Sequence, residues 1–501
     1  MKPEIIMIQP KTSLTGAFIR MIPLGLLYAA SRVVLDEFPV QILDTRINPS
    51  FDESELFRLI NKRTRIIGFS VMSGVSVTES LRLSLAVKAK YPELAIVWGG
   101  PHPTFSSLDV MQEKSIDYII RGYGAQPFHE LFLYLIGNSG CIPLREIKGL
   151  SWRDKQGHVY HNDIATEFEF INYRHIPYHI IPDMTVYKHV NKNDIVFPIY
   201  SVMGCPYQCA FCSSPVLYAK FAKKWMPYPV DEVVSHIDMV QKKYGATLIY
   251  FIDDDSFVDL RHVESIIDEI KKRGINIKLG FRGARINEIL TMSDSFLNKL
   301  ADAGTNTMHI GAESGCNRLL SLMRKNITAE QILEANLKLA RHTNITAYYN
   351  FIVGFPTETL EETKMTRNLI LQLIKDNPQC IVIPLNKPRP LPGTELYELA
   401  VLHGYSPPDS LEKWGIYELE ASDYNPVWMT KEHNKFIRMM FLCMYFIDGK
   451  IFKMASGQSL KYALLKILAW FYRPVANFRF RNGLYQFLIE ERIYGMIRRL
   501  L

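Results

Sequence analysis

Nowhere does the chain sustain the eighteen or so uninterrupted apolar residues that a membrane-spanning helix requires, so helical membrane spans are not expected. Cysteine is scarce too. There are seven in 501 residues, an odd number, with three of them crowded between 205 and 212. That usage argues against a disulfide framework and for a reducing cytoplasm. A G-x-G-x-x-G fingerprint is missing, which counts against dinucleotide binding. The start, Met1-Lys2-Pro3 and then Ile5-Ile6-Met7-Ile8, has no cleavage site after its short apolar run and reads as a first strand rather than a signal peptide. Acidic residues run short in one region only. From Lys431 to Leu501, thirteen Lys and Arg face four Asp and Glu, which is +9 out of a whole-chain charge of +7. The remainder is slightly acidic, so no nucleic-acid partner is expected.

What is present is enough apolar material, 48% of residues, for ordinary buried cores. One dense chemical feature stands out: Gly204-Cys205-Pro206-Tyr207-Gln208-Cys209-Ala210-Phe211-Cys212, with its cysteines at C-x3-C-x2-C. Thiolates this close suit a loop wrapped around one iron–sulfur cluster. A four-iron cluster held by three thiolates leaves one iron open to a ligand that is not protein. A structural zinc ion is the competing reading, but it normally closes four ligands.

Around this loop the chain alternates. In residues 1–140 short β-rich runs (Ile5–Ile8, Val40–Leu43, Ile66–Val71, Ala95–Trp98, Tyr118–Ile120) are separated by helix-period segments such as Leu24–Leu35 and Ser80–Lys90. That is the pattern of a doubly wound parallel sheet, whose ligands bind beyond the strand C-termini. Residues 141–194 form a connector with a β-hairpin around Asp154–Gly157 and then prolines. Residues 195–400 carry six further strand signals separated by helices, which suits a partial (β/α)6 barrel. Residues 401–501 are helical, with the segments Thr430–Ile447 and Ser459–Tyr472 nearly apolar all round. The expected class is therefore α/β: a Rossmann-like domain, a partial barrel and a helical C-terminal region.

The cysteine loop resembles the signature of the radical S-adenosylmethionine (SAM) enzymes. The resemblance implies that Cys205, Cys209 and Cys212 hold a [4Fe–4S] cluster whose open iron chelates SAM, with Phe211 lining the adenine. One electron then cleaves SAM to a 5′-deoxyadenosyl radical. It also implies that Asp253 or Asp254, after the second barrel strand, holds the SAM ammonium, although an Asp triplet is as often a helix N-terminus feature. Arg285 falls where relatives have an arginine beside the SAM carboxylate. Gly311-Ala312-Glu313-Ser314-Gly315 is similar to the family's G-x-E-S-G, which brings Glu313 and Ser314 to SAM. Gly354-Phe355-Pro356-Thr357-Glu358-Thr359 resembles G-x-P-x-E-T, with Glu358 and Thr359 expected as helix caps.

The first domain resembles the cobalamin-binding domain that precedes many radical SAM cores. By that resemblance Gly16, Ser70, Ser73, Gly74, Gly99, Gly100, His102 and Gly122 lie at the cofactor, and Pro23-Leu24-Gly25-Leu26 matches its P-x-G-L helix start. The loop Gln9–Ile22 has no His where D-x-H-x-x-G would supply one, so base-off cobalamin without a protein His ligand is expected. A plain nucleotide-binding Rossmann-like domain is the alternative there, and His102 reads equally well as a loop-capping residue.

The combined expectation is a methyltransferase acting on an unactivated carbon of a small or hydrophobic substrate, supplied with electrons by a flavodoxin- or ferredoxin-type donor. A cyclase or rearrangement enzyme is the second reading, and a non-catalytic cobalamin sensor is the reading from outside enzymes. The basic apolar tail either packs over the barrel mouth or lies as a peripheral helix on an anionic membrane face.

Overall fold

The structure is a computed structural model that describes residues 2–12, 21–48, 50–187, 194–416, 425–448 and 460–486. It divides into two compact units. The first comprises Met1–Tyr187, Leu217–Lys224 and Ser406–Ala421; the second comprises Lys188–Val216, Trp225–Tyr405 and Ser422–Leu501.

In the first unit five parallel strands lie in the order Val40–Asp44, Ile5–Gln9, Ile66–Ser70, Ala95–Gly99 and Tyr118–Ile120. Ile5, Ile6, Ile8, Ile66, Ile67 and Ile96 are fully buried, as a parallel sheet covered on both faces demands. Strand order reverses between Ile5–Gln9 and Ile66–Ser70, and a doubly wound sheet opens its binding crevice beyond the C-termini at such a point. The hairpin predicted in the connector is present as Leu150–Arg153 and Val159–His161. It extends this sheet, with Leu150–Arg153 pairing antiparallel to Tyr118–Ile120.

The second unit holds six parallel strands in sequence order: Val196–Ile199, Leu248–Phe251, Lys278–Arg285, Thr305–Glu313, Thr346–Phe351 and Ile381–Val382. Right-handed crossovers in sequential order put all intervening helices on one face. Ile249, Phe251, Leu279, Phe281, Met308, Ile310, Tyr349 and Phe351, at most 2% exposed, pack toward those helices. The alternate residues Tyr250, Arg282, His309 and Tyr348 retain exposure and line the opposite, concave face.

The C-terminal helix Lys431–Ile447 is buried along Phe436, Ile437, Met440, Cys443, Met444 and Ile447, so this part of the apolar tail is packing. Asp448, at its end, accepts the Val382 N–H at 3.0 Å and satisfies a donor on the edge strand. The last described helix, Leu460–Asn482, runs ten residues beyond the predicted end and passes through Pro474.

Candidate functional site

In the second unit the strand Val196–Ile199 leads into Ser201 and Val202, and the side chain of Asp253 grips this exit. One carboxylate oxygen accepts the N–H groups of Ser201 at 2.8 Å and Val202 at 3.1 Å. The other accepts the hydroxyls of Ser201 at 2.5 Å and Ser256 at 2.9 Å. Burial pushes the Asp253 carboxyl up to about 6 against these hydrogen bonds. The next helix begins only at Leu260, behind its own N-cap Asp259, so the triplet is not a helix N-terminus feature. Its members divide by burial. Asp253 and Asp255 are 1% exposed, whereas Asp254 is exposed. Both Asp253 oxygens are engaged, and Asp254 is the exposed carboxylate of the three.

The cysteine loop is held from two sides. Ala210 N–H donates to the Met323 carbonyl at 3.0 Å, and the Ala210 carbonyl accepts the Leu396 N–H at 2.9 Å, which satisfies a donor in the first turn of the helix Glu395–Leu402. Cys209 is buried, while Cys205 and Cys212 are half-buried; none of the seven cysteines is in a disulfide. Arg285 donates to Cys209 Sγ at 3.2 Å and to the Lys325 carbonyl at 2.8 Å, and its guanidinium lies 3.7 Å over the Tyr207 ring. Ser214 N–H points at Cys212 Sγ at 3.4 Å. Burial raises the Cys205 thiol, with the Asp255 charge adding to it, and burial also raises Cys212. Phe211 is half-buried against the apolar cluster of Leu319, Phe355 and Leu396.

Below the loop lies a buried polar network that the sequence reading missed. Tyr207 OH donates to Glu288 at 2.9 Å. Burial, with Asp255 alongside, pushes the Glu288 carboxyl well above the usual carboxylate range, and burial raises Asp255 as well. Asp255 was visible in the triplet and Tyr207 in the loop, but nothing in the local sequence marks Glu288 or Lys325. Lys325 Nζ meets Glu313 at 2.9 Å, with both side chains buried. Glu313 adopts φ 64°, a conformation uncommon for a non-glycine residue. Ser314 is fully buried and turns to its own chain, accepting the Cys316 N–H at 3.1 Å and lying 3.3 Å from the Thr366 hydroxyl.

At the fifth strand Thr359 caps the helix Leu360–Asp376 as expected, in a capping box with Glu362. Glu358 does not cap it. Its carboxylate turns back to accept the Gly354 N–H at 2.5 Å and the Phe355 N–H at 2.9 Å, and takes the Thr363 hydroxyl at 2.7 Å.

On the concave face an aromatic ribbon crosses three strands. The Tyr250 ring lies edge-on to His309 at 5.7 Å, and His309 stacks on Tyr348 at 4.8 Å. Gly280 makes this arrangement feasible, because a Cβ there would lie 2.9 Å from the Tyr250 ring and 2.6 Å from the Thr307 hydroxyl. Burial, with Arg282 adding, holds His309 down at about 4, and burial raises Tyr250 to about 12.

In the first unit the predicted residues gather at the C-terminal ends of adjacent strands. Ser70 ends one strand and Gly99 the next. Gly100 takes φ 99°, and a Cβ there would lie 3.0 Å from the Val71 backbone, so glycine is required. Gly74 (φ 108°) precedes the helix Val75–Lys90, and the Gly122 N–H donates to the Thr104 hydroxyl at 3.1 Å. His102 is fully buried, with Nδ1 3.0 Å from the Ser73 hydroxyl and its ring edge-on to Trp414 at 4.6 Å. Its Nε2 is buried with no hydrogen-bond partner, and burial holds the imidazole at about 4. Gly16 lies outside the described residues.

The family model of the radical SAM superfamily matches residues 199–370, and that of the B12 binding domain matches residues 17–132. This chain is a radical SAM enzyme with a B12-binding domain. It is 29% identical over 382 residues to an uncharacterized methyltransferase of Pyrococcus horikoshii, covering 76% of this chain and 78% of that one. It is 23% identical over 411 residues to the anaerobic magnesium-protoporphyrin IX monomethyl ester cyclase of Rubrivivax gelatinosus, covering 78% and 71%. Its fold is that of the cobalamin-dependent SAM radical enzyme OxsB, with TM-score 0.72 at 16% identity over 100% of this chain and 75% of that one.

A radical SAM enzyme of this kind uses a [4Fe–4S] cluster, SAM and cobalamin, and the residues present fit them. Three unpaired thiols share one braced loop with N–H donors aimed at two of the sulfurs, the second-shell pattern of thiolate–cluster sites. In the B12-binding unit the orphaned Nε2 of His102 offers a polar atom to a bound group. Gly25, at the P-x-G-L start of the helix Leu24–Leu35, has nothing within 4 Å of where a Cβ would be, so the protein itself does not demand glycine there.

Proposed function

We propose that this radical SAM enzyme transfers a methyl group to an unactivated carbon of a small or hydrophobic substrate. The observation that carries the reading is the coexistence, in one chain, of a braced three-cysteine loop at 205–212 and a B12-binding domain at 17–132. The likeness to a protein named a methyltransferase supports it. When bound, the cluster and SAM supply a hydrogen-abstracting radical, and cobalamin supplies a methyl carrier in base-off form without a protein His ligand.

The chain's own residues then have these roles. Arg285 places a cation at Cys209 and eases the charge of the thiolate set. Asp254 takes the SAM ammonium, and Arg285, Glu313 and Phe211 complete the SAM contacts, while Ser314, fully buried and bonded to Cys316 and Thr366, holds the shape of its own segment in place of the expected SAM contact. Tyr250, His309 and Tyr348 form an apolar, aromatic wall for the substrate that excludes water, and Arg282 on the same face orients a polar substituent. The electron comes from an external flavodoxin- or ferredoxin-type protein.

Anaerobic turnover with substrate should yield S-adenosylhomocysteine and 5′-deoxyadenosine together. A cyclase or rearrangement reaction is the second reading, favoured by the likeness to the Rubrivivax gelatinosus cyclase. It predicts deoxyadenosine alone, and that result would replace the methyltransferase reading.

A further inference from the structure

The helix Leu460–Asn482 has two faces of opposite character. Ala469, Ala476 and Phe480 are at most 1% exposed and face inward. On the other side Ile467, Trp470, Phe471, Val475 and Phe478 are 54%, 66%, 67%, 48% and 61% exposed. These five recur at helical spacing and form a stripe roughly 16 Å long, at 1.5 Å per residue. Large aromatic side chains exposed in such a row are unusual on a surface that meets only water.

The charge on this helix says what would cover the stripe. Its sequence carries Lys461, Lys466, Arg473, Arg479 and Arg481 and no acidic residue. Arg473 and Arg481 are exposed beside the stripe. A second copy of the chain seated on this face would bring two such cationic helices together, which like-charge repulsion opposes. No helix among the described residues is long and apolar enough to cross a membrane, so at a bilayer a helix of this make-up would lie in the headgroup plane and not span it.

We propose that the exposed face of Leu460–Asn482 docks on the surface of a bilayer containing anionic lipid. Trp470, Phe471 and Phe478 enter the acyl boundary, and the flanking arginines meet the headgroup charge. This holds whichever reaction the enzyme catalyses, because none of these residues belongs to the site built on the second unit's strands.

Sedimentation of the full chain with vesicles tests it. The protein should pellet with phosphatidylcholine–phosphatidylglycerol vesicles, about tenfold less with phosphatidylcholine alone, and less as salt rises. The triple variant Trp470→Ser, Phe471→Ser, Phe478→Ser should lose about tenfold or more in partitioning while keeping its melting temperature and its reductive cleavage of SAM. The proposal is overturned if the unaltered protein stays in the supernatant with anionic vesicles, or if the triple variant pellets equally well. It is also overturned if sedimentation velocity finds a lipid-free dimer that the triple variant abolishes, because a second copy would then be the occupant.

Discussion

The ammonium of Lys325 sits 2.9 Å from the carboxylate of Glu313, and each side chain is less than one tenth exposed. Glycine at residue 311 leaves room for the pair, since a Cβ there would crowd Glu313 Oε1 and Lys325 Nζ. The G-x-E-S-G segment is thus shaped partly by a lysine that lies outside it. An ion pair removed from water in this way tolerates loss of both charges far better than loss of one.

Lys325→Met should therefore lower unfolding stability by about 3 kcal/mol, because Glu313 is left buried and unpaired. Adding Glu313→Gln should restore most of that loss. Urea denaturation of the two single variants and the double variant measures the coupling; simple additivity would mean the charges are screened.

Cys209→Ala should abolish the iron content of anaerobically reconstituted protein and its reductive cleavage of SAM, because three thiolates are the minimum that leaves a single iron open. Iron assay and chromatography of 5′-deoxyadenosine are the readouts. Cleavage that survives the change would remove the radical chemistry from this loop.

Burial pushes the Glu358 carboxyl up to about 7 from 4.5. Between these values the folded chain binds more protons than the unfolded chain, so the contribution of Glu358 to stability is present below 4.5 and is lost as pH rises through about 7. The slope is at most about 1.4 kcal/mol per pH unit from this one group. Glu358→Gln, which keeps an acceptor for Gly354 and Phe355, should flatten the pH dependence of stability in that window by about one proton's worth. An unchanged slope would mean that the carboxylate is ionised throughout.

His102→Leu should leave the melting temperature of the cobalamin-free protein within a few degrees, because the imidazole already buries one unpartnered nitrogen. Retention of hydroxocobalamin on desalting, followed by its visible absorption, should fall about tenfold if that nitrogen serves the bound group, on the scale of about 1.4 kcal/mol. Equal retention would return His102 to a loop-capping role with Ser73.

Much of the architecture could be read from the chain because it depends on local pattern. The helix Leu24–Leu35 spans the predicted residues, and all six strand signals after 195 became the parallel strands of one sheet. Buried parallel strands need short β-rich runs, and amphipathic helices need a 3.6-residue period, so both leave a mark in any window of the sequence. The three cysteines were legible for the same reason, lying within eight residues of one loop.

What local pattern could not carry was the partner of each polar side chain. The three residues Asp253, Asp254 and Asp255 look alike in sequence. Only the fold made the first a bracket for Ser201 and Val202, left the second exposed and buried the third beside Glu288. In the same way Glu358 reads as a helix cap but closes back on Gly354, and Lys325 carries no motif yet sits under Glu313. The order of elements follows from spacing along the chain, and the cofactor class from the resemblance carried by the cysteine loop and the first domain. The roles of individual charges follow from desolvation, which exists only once distant segments have closed around them.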